Sequence, residues 1–571
     1  MEEIISIKDL SFKYPGASDK VLNNINLRIF QGDFIAIIGG NGGGKTTLCK
    51  TFNGLIPHYH VGDFVGEVIV AGHNTLGTSV ASLAQKVAYI YQDFENQLVR
   101  STVYDEVTFA PLNFGLRNYQ ERGEYALEIL GLKSIQNEFI WELSGGQKHM
   151  VALAGVLALN PDIIIIDEPV AQLDPFNAQM IYENLAMLNQ EHGKTIIVIE
   201  HHTEFIASYC QNVIMMDSGR VLWQKSVNKA LSMVEELKES NIYPPQVTQA
   251  VCSLFKIEGQ YPITIEEALP YFSQGNCLEL SIKTEDDNQL KNKQTDEKPL
   301  ISFKNLSHSY KTLKKKSAKA LSNINLSFYK GDRVALIGNN GSGKSTLLKL
   351  ITGIIKPQEG EVIVCGKNTK DTSSEQLAER VSYIYQNPEE MFINDNIRQD
   401  IEYYLQARKI PAYNKFVNQI IKTLGLTDIQ NHDGRLLSGG QQRRASLAIG
   451  TGTKPSVILL DEPTASLDML SRKEMFAMIN RLEDWVNTVI VATHDMELVG
   501  EWADRVIVLN EGKVFIDTDQ YGVFGDEQVL EQTNLCPPQI VKLSRRLGMK
   551  PVALSVKDFI SRLGGDKLEA I

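Results

Sequence analysis

Two stretches of the chain set glycines, a lysine and a hydroxyl at a spacing suited to holding phosphate. Gly39-Gly-Asn-Gly-Gly-Gly-Lys-Thr46 and Gly338-Asn-Asn-Gly-Ser-Gly-Lys-Ser345 both fit G-x-x-x-x-G-K-[ST]. Glycines let successive backbone N–H groups curl around an anion, and a following helix adds its dipole. Gly39, Asn41, Gly42 and Gly44, with Gly338, Asn340, Gly341 and Gly343, are therefore candidate phosphate contacts. Lys45 and Lys344 reach the β- and γ-phosphates of ATP, Thr46 and Ser345 offer hydroxyls to Mg²⁺, and Thr47 and Thr346 lie next to them. A second constellation is acidic. Ile163-Ile-Ile-Ile166 runs into Asp167-Glu168, and Val457-Ile-Leu-Leu460 runs into Asp461-Glu462. Carboxylates at the end of a buried strand are costly without a cation or a hydrogen-bond donor. Asp167 and Asp461 are assigned to the metal, and Glu168 and Glu462 to the attacking water.

These groups need rigid elements behind them. Phe34–Ile38 and Val334–Ile337 are continuous apolar runs, the mark of a strand buried on both faces. Each leads into its glycine loop and then into a helical pattern, which is the context the phosphate chemistry requires. One such match alone could be a Gly-rich turn; two in the same context set that reading aside.

The motifs recur. Lys45 and Lys344 are 299 residues apart, while Ser144 and Ser438, like Asp167 and Asp461, are 294 apart. An offset this long marks a duplicated domain rather than a solenoid repeat. Pro244-Pro-Gln-Val and Pro537-Pro-Gln-Ile extend the duplication past the motifs, so each copy carries a small C-terminal appendage. Between the copies, Lys283–Lys298 is polar and poor in large apolar groups, as a linker would be. The expected division is a first domain over 1–240, its appendage over 241–280, a linker over 281–299, a second domain over 300–530 and its appendage over 531–571.

Composition bounds the partners. The chain has 571 residues, 43% of them hydrophobic, enough to build real cores. The formal net charge of −12 argues against bulk binding to nucleic acid, and none is expected. The six cysteines form no C-x-x-C pair and are read as reduced thiols. The acidic start Met1-Glu-Glu3 does not resemble a signal peptide, and no apolar run approaches the ~20 residues of a membrane helix. His58 and His60 share a loop with no third ligand and are read as solvated rather than metal-binding.

Leu143-Ser-Gly-Gly-Gln147 and Leu437-Ser-Gly-Gly-Gln441 carry a family resemblance. By chemistry alone each is a serine-capped helix start able to bind an anion, followed by apolar residues at helical spacing (Met150, Leu153, Ala154 and Leu157 in the first copy). With the phosphate loops and acid pairs, the chain resembles the ATP-binding-cassette ATPases over nearly all its length. The resemblance implies an α/β fold of two P-loop NTPase domains, each with a β-subdomain, a helical subdomain and the appendage. It implies that Ser144, Gly145, Gly146 and Gln147, with Ser438, Gly439, Gly440 and Gln441, contact ATP held by the opposite copy. It adds Gln92 and Gln386 as contacts of metal and water, His201 and His494 as switch histidines near the γ-phosphate, Asp174 and Asp468 in a loop crossing between copies, and Tyr14 and Tyr310 as aromatics stacking on adenine. Tyrosines packed in the core are the competing reading for the last pair. The two domains would pair within the chain, with ATP as the glue between them.

The copies differ at Gly43 against Ser342, Gln147-Lys-His-Met150 against Gln441-Gln-Arg-Arg444, Ala171-Gln-Leu-Asp174 against Ala465-Ser-Leu-Asp468, and Glu200-His-His202 against Thr493-His-Asp495. Both keep lysine, aspartate, glutamate and histidine, so two hydrolytic sites are expected, with their relative rates left open. Downstream of Gln92, Asp93-Phe-Glu-Asn-Gln97 and Thr102–Gly115 look like the ATPases of energy-coupling-factor importers, as do Asn53–His58 and the Pro-Pro appendage. The second copy departs from this at Ile401-Glu-Tyr-Tyr-Leu405. That likeness implies a motor for uptake of a vitamin or related micronutrient, on the cytoplasmic face of the cell membrane, with a transmembrane coupling protein and a small membrane substrate-binding protein as partners. Asp93, Glu95, Glu389 and Glu390 would then face basic residues of coupling helices; solvated acidic loops are the alternative. The rival classes are a tandem cassette acting on ribosomes or nucleic acid, and the ATPase of a different importer, for sugar or metal. The short mixed-charge connector speaks against the first, and the presence of both glutamates against the sugar importer.

Overall fold

The computed structural model describes residues 2–170, 173–273, 298–311, 317–465, 467–482 and 485–564. The expected linker up to residue 297, Cys277, Ala171, Gln172, Ser466 and the last residues of both appendages lie outside these. The chain divides into two units, built on residues 1–279 and 280–566.

In the first unit the aliphatic runs form a six-stranded sheet. Its order is Arg220–Ser226, Asn212–Asp217, Phe34–Ile38, Thr195–Ile199, Ile163–Asp167, Val87–Ile90. All neighbours are parallel except the first pair. The central strands have no polar face because both faces are covered, and alternate residues feed two cores. Ile35, Ile37, Ile163, Ile165, Ile197 and Ile199 enter one; Phe34, Ala36, Ile38, Ile164, Ile166, Ile196 and Val198 enter the other. Each such isoleucine contributes roughly 1.5–3 kcal/mol over an exposed one. The first core is closed by a four-stranded antiparallel sheet (Leu22–Phe30, Glu3–Lys13, Asp63–Val70, His73–Asn74) and by the helix Lys45–Phe52. The second is closed by helices, among them Gly145–Leu157 and Pro175–Gln190. The helices Val103–Asn113 and Tyr119–Ile129 pack on Gly145–Leu157 and form the helical part of the unit.

The second unit repeats the strand order. Its six-stranded sheet runs Val381–Ile384, Val457–Asp461, Thr488–Ala492, Arg333–Ile337, Arg505–Asn510, Lys513–Thr518. Ile397–Ala407 and Asn414–Thr423 pack on Gly439–Gly452. Each Pro-Pro segment opens a helix pair: Gln246–Leu254 with Ile265–Ser273, and Gln539–Arg546 with Val556–Arg562. The same device starts the second helix of each pair. Glu267 Oε2 accepts the N–H of Ile263 at 2.8 Å, and Asp558 Oδ2 accepts that of Leu554 at 3.0 Å.

Among the described residues no helix is long and apolar enough to cross a membrane. The five described cysteines are free thiols. His58 is exposed, as expected of a solvated side chain, and its Nε2 also lies 2.8 Å from the carbonyl oxygen of Thr75, which ties the loop to the antiparallel sheet.

Candidate nucleotide sites

Each phosphate loop leaves its strand through a glycine that no other residue can replace. Gly39 has φ +149°, and a side chain there would overlap the backbone carbonyl of Met216 on the adjacent strand; Gly338 has φ +146° and faces Leu509 in the same way. The loop ends at a left-handed glycine, Gly44 or Gly343, that caps the helix beginning at Lys45 or Lys344. Both lysines are buried and fold back over their own loops. Lys45 Nζ donates to the carbonyls of Gly39 and Gly40 at 2.8 and 3.0 Å, and Lys344 Nζ to those of Gly338 and Asn339 at 2.6 and 3.2 Å. The ammonium thus stands at the loop that would hold phosphate.

The first acid of each pair meets the hydroxyl after that lysine. Thr46 Oγ1 donates to Asp167 Oδ2 at 2.8 Å, and Tyr89 donates to the same oxygen at 2.9 Å. In the second unit Tyr383 donates to Asp461 Oδ2 at 2.6 Å, and Ser345 also bonds to Asp461. Burial pushes both carboxyls above the usual aspartate range, and these donors pull them part of the way back.

The second acid sits on strained backbone. Glu168 and Glu462 have φ of +54° and +47°, unusual for glutamate, and each is held there by its amide, which donates to Ile199 O or Ala492 O on the next strand. The turn brings the carboxylate to the expected histidine. His201 Nε2 lies 3.4 Å from Glu168 Oε1, and His494 Nδ1 lies 2.9 Å from Glu462 Oε2. Burial alone would raise Glu462, but the His494 imidazole and Lys344 hold it below its ordinary value. The same pairing outweighs burial at His494 and raises it. Gln92 Nε2 donates to Glu168 Oε2 at 2.6 Å, closing the group in the first unit. Gln386 is exposed and makes no matching bond to Glu462 among the described residues.

The remaining sites divide. Tyr14 and Tyr310 place their hydroxyls 3.4 and 3.3 Å from Thr47 Oγ1 and Thr346 Oγ1, beside the phosphate-loop helix, and Tyr310 is 44% exposed. Tyr14 is half-buried and packs edge-on against Phe12. Neither ring is buried in the core. Ser144 and Ser438 are exposed N-caps in complete capping boxes with Gln147 and Gln441. Gly146 and Gly440 have a local reason to lack side chains: a Cβ would strike Asn177 in the first unit and Ser471 in the second. Those two residues are held by Asp174 and Asp468, which cap the next helices. The signature turn and the aspartate loop are thus one packed assembly within each unit.

A family profile described as ABC transporter matches residues 22–171 and 321–465. The chain belongs to the ABC transporter family. A provisionally named ABC transporter ATP-binding protein of Caldanaerobacter subterraneus subsp. tengcongensis is 33% identical over 98% of both chains. A likewise provisionally named one from Methanosarcina mazei is 30% identical over 98% of this chain and 96% of its own. Among solved structures, CbiO1 from Clostridium perfringens, described as part of the ABC transporter complex CbiONQ, is 31% identical over 44% of this chain and 98% of its own, with a TM-score of 0.39. The two units are ABC ATPase cassettes, and the chain is an ATP-binding, ATP-hydrolysing protein.

With the cassettes aligned, further residues of the sites stand out. Tyr89 and Tyr383 orient the strand-end aspartates; in the sequence they read only as strand aromatics. Glu106 and Asp400 are buried acids at matching positions, and each accepts two backbone N–H groups beyond the Gln92 or Gln386 segment, from Val99 and Arg100 or from Ile393 and Asn394. The charge difference after the signature lies inside the protein. Arg443 is buried and donates to the carbonyl of Tyr385, the residue before Gln386, at 3.2 Å; burial lowers its pKa to about 10, against the pull of Glu462 and Asp461. His149 replaces it in the first cassette, stacked on Phe94 at 4.4 Å, with its pKa lowered to about 4 by burial. The second cassette therefore carries a buried cation near its acids where the first has a neutral ring. Lys148 pairs with Glu95 at 2.9 Å, so that acid already has a cation within its own cassette; Asp93, Glu389 and Glu390 are exposed.

The donor set fits Mg²⁺. Each site offers hard oxygens from one hydroxyl and one carboxylate, and Asp461 Oδ1 is buried with no hydrogen-bond partner among the described residues. No group of three or more His, Cys, Asp or Glu side chains among those residues could hold a metal. An ion that takes few protein ligands and completes its shell with phosphate and water suits this arrangement.

Proposed function

We propose that the chain is the ATP-hydrolysing subunit of an energy-coupling-factor importer that takes up a vitamin or related micronutrient. It would work on the cytoplasmic face of the membrane, with a transmembrane coupling protein and a small membrane substrate-binding protein. The observation that carries the motor reading is the repeated constellation of Lys45, Asp167, Glu168 and His201, and of Lys344, Asp461, Glu462 and His494. The importer type rests on Asp93–Gln97, Thr102–Gly115 and the duplicated Pro-Pro helix pairs.

In this mechanism the loop amides and lysine hold the phosphates. Glu168 and Glu462 orient and deprotonate the attacking water, with Gln92 and the two histidines placed against them, and Gln386 would contact the metal and the water of the second site. Thr46 with Asp167, and Ser345 with Asp461, would hold Mg²⁺, which supplies charge neutralisation on the phosphates when bound. Tyr14 and Tyr310 stack on adenine. The exposed caps at Ser144 and Ser438 would bind the γ-phosphate of ATP, a role that rests on the family resemblance. The test is affinity purification of the full chain from its native membranes. A small multi-span binder and a multi-span coupling protein are expected with it; ribosomes, or a pair of permease subunits with a periplasmic binder, would overturn the reading.

A further inference from the structure

Both histidine loops present an imidazole to an acid, yet their buried supports are built from different residues. In the first cassette Glu200 is 1% exposed. Its Oε1 accepts the backbone N–H groups of His201 and His202 at 2.7 and 2.9 Å. Its Oε2 accepts the hydroxyl of Tyr182 at 2.9 Å. Tyr182 is fully buried and stacked on Phe205 and Tyr209, with ring centroids 4.8 and 5.2 Å away.

The second cassette replaces every member of this arrangement. Thr493 stands for Glu200, Phe476 for Tyr182, Asp495 for His202 and Arg472 for Ala178. Asp495 caps the helix Met496–Trp502 by accepting the N–H of Leu498 at 3.1 Å. It also takes Nε of Arg472 and Oγ1 of Thr464, each at 2.8 Å. Arg472 pairs further with Glu497 at 3.0 Å and lies 5.5 Å from the centre of the Phe476 ring. A buried carboxylate persists only when its lone pairs are filled. One cassette fills them with a phenol and two amides, the other with a guanidinium, a hydroxyl and an amide. The residues change as a set: the phenol is present where Glu200 needs it, and the arginine where Asp495 does.

We propose that Glu200 is a positioning residue for His201, with Tyr182 as its buttress; in the second cassette Asp495, paired with Arg472, instead anchors the start of the helix behind His494, whose own N–H goes to Glu462 Oε2 at 3.3 Å. The inference rests on the reading of the two histidines as acting beside Glu168 and Glu462. Glu200 fixes two consecutive amides at the base of the loop, which sets where the imidazole sits relative to the acid. Losing it frees the loop without removing any group that binds nucleotide. Turnover should therefore fall while ATP binding holds.

The test is a double-mutant cycle in the full chain, with steady-state ATPase kinetics and thermal unfolding of each variant. His201→Ala measures what the histidine contributes. In a chain whose second cassette is silenced by Glu462→Gln, so that turnover reports the first cassette alone, Glu200→Ala should lower kcat by about tenfold with less than about twofold change in KM. It should cost nothing more when added to His201→Ala, because it acts through the histidine. Tyr182→Phe, which keeps the ring and the fold, should give a smaller loss of the same kind. Glu200→Thr combined with His202→Asp, Ala178→Arg, Val170→Thr and Tyr182→Phe should recover turnover relative to Glu200→Thr alone. Unchanged kcat for Glu200→Ala in a chain where His201→Ala is impaired would overturn the proposal, as would equal losses from Glu200→Ala in the presence and absence of His201. An unimpaired His201→Ala would remove the histidine reading itself.

Discussion

Replacing Gly39 by alanine separates the steric demand of the phosphate loop from its chemistry. The φ of +149° is open to glycine alone, and adopting such backbone costs other residues of order 1–3 kcal/mol. The new methyl would also strike the carbonyl of Met216, which belongs to the adjacent strand and has little freedom to yield; overpacking of that kind costs about 1–3 kcal/mol more. The sum, about 2–6 kcal/mol, is a large share of the 5–15 kcal/mol that holds a typical domain together. Gly43 provides the contrast. It has no left-handed φ, its Cβ would meet Gly40 O at 3.1 Å, and the second cassette carries Ser342 there. Gly43→Ala should cost less than about 1 kcal/mol. Urea unfolding followed by hydrogen exchange and mass spectrometry reads the two cassettes separately, so the second is an internal reference for the first. Gly39→Ala should move the first transition down by about 1–2 M urea, from slopes of roughly 1–3 kcal/mol/M, and weaken ATP protection of that cassette alone. If Gly39→Ala and Gly43→Ala left the first transition at the same midpoint, the steric argument would be wrong.

Three further outcomes are expected. Tyr310→Ala should raise the KM for ATP about 5- to 150-fold, because base–aromatic stacking is worth about 1–3 kcal/mol, while Tyr310→Phe stays near wild type; equal KM values for the two variants would return the tyrosine to a packing role. Burial holds Glu106 above its ordinary value against the donors from Arg100 and Val99. A carboxyl raised in the folded state favours folding below its unfolded pKa and loses that contribution as pH rises through the raised value. Glu106→Gln removes the titration, so urea midpoints of the first cassette should show the variant gaining on wild type between pH 4 and 7. Reversing Asp93, Glu389 and Glu390 to lysine should block assembly with the membrane partners in pull-downs and leave basal ATPase activity unchanged; intact assembly would remove these acids from the docking surface.

The sequence made the sheet strands, the phosphate loops, the acid pairs and the capped signature helices legible because each is a local pattern. Ile163–Ile166 has one plausible fate, and Ser144 ahead of apolar residues at helical spacing reads as a helix N-cap. Bonds between distant elements were not legible. Nothing local to Glu200 reveals Tyr182, and nothing local to His149 reveals that it lies buried against Phe94. Glu95 reads as a free surface acid until Lys148 is placed beside it. The left-handed backbone at Glu168 and Glu462 is also silent in sequence, since glutamate rarely adopts it. The duplication partly repairs this: where the cassettes differ at positions in contact, as at Tyr182 with Glu200 against Phe476 with Thr493, the differences mark the contacts.

The central claim is that both cassettes hydrolyse ATP, each through the glutamate after its strand-end aspartate. Steady-state turnover of the full chain with Glu168→Gln, with Glu462→Gln, and with both tests it most directly. Each single change should lower kcat, by unequal amounts, with KM for ATP near wild type, and the double variant should be inactive. A single change that left turnover at the wild-type rate would mean that its cassette binds ATP without hydrolysing it, and the account of two working sites would fail.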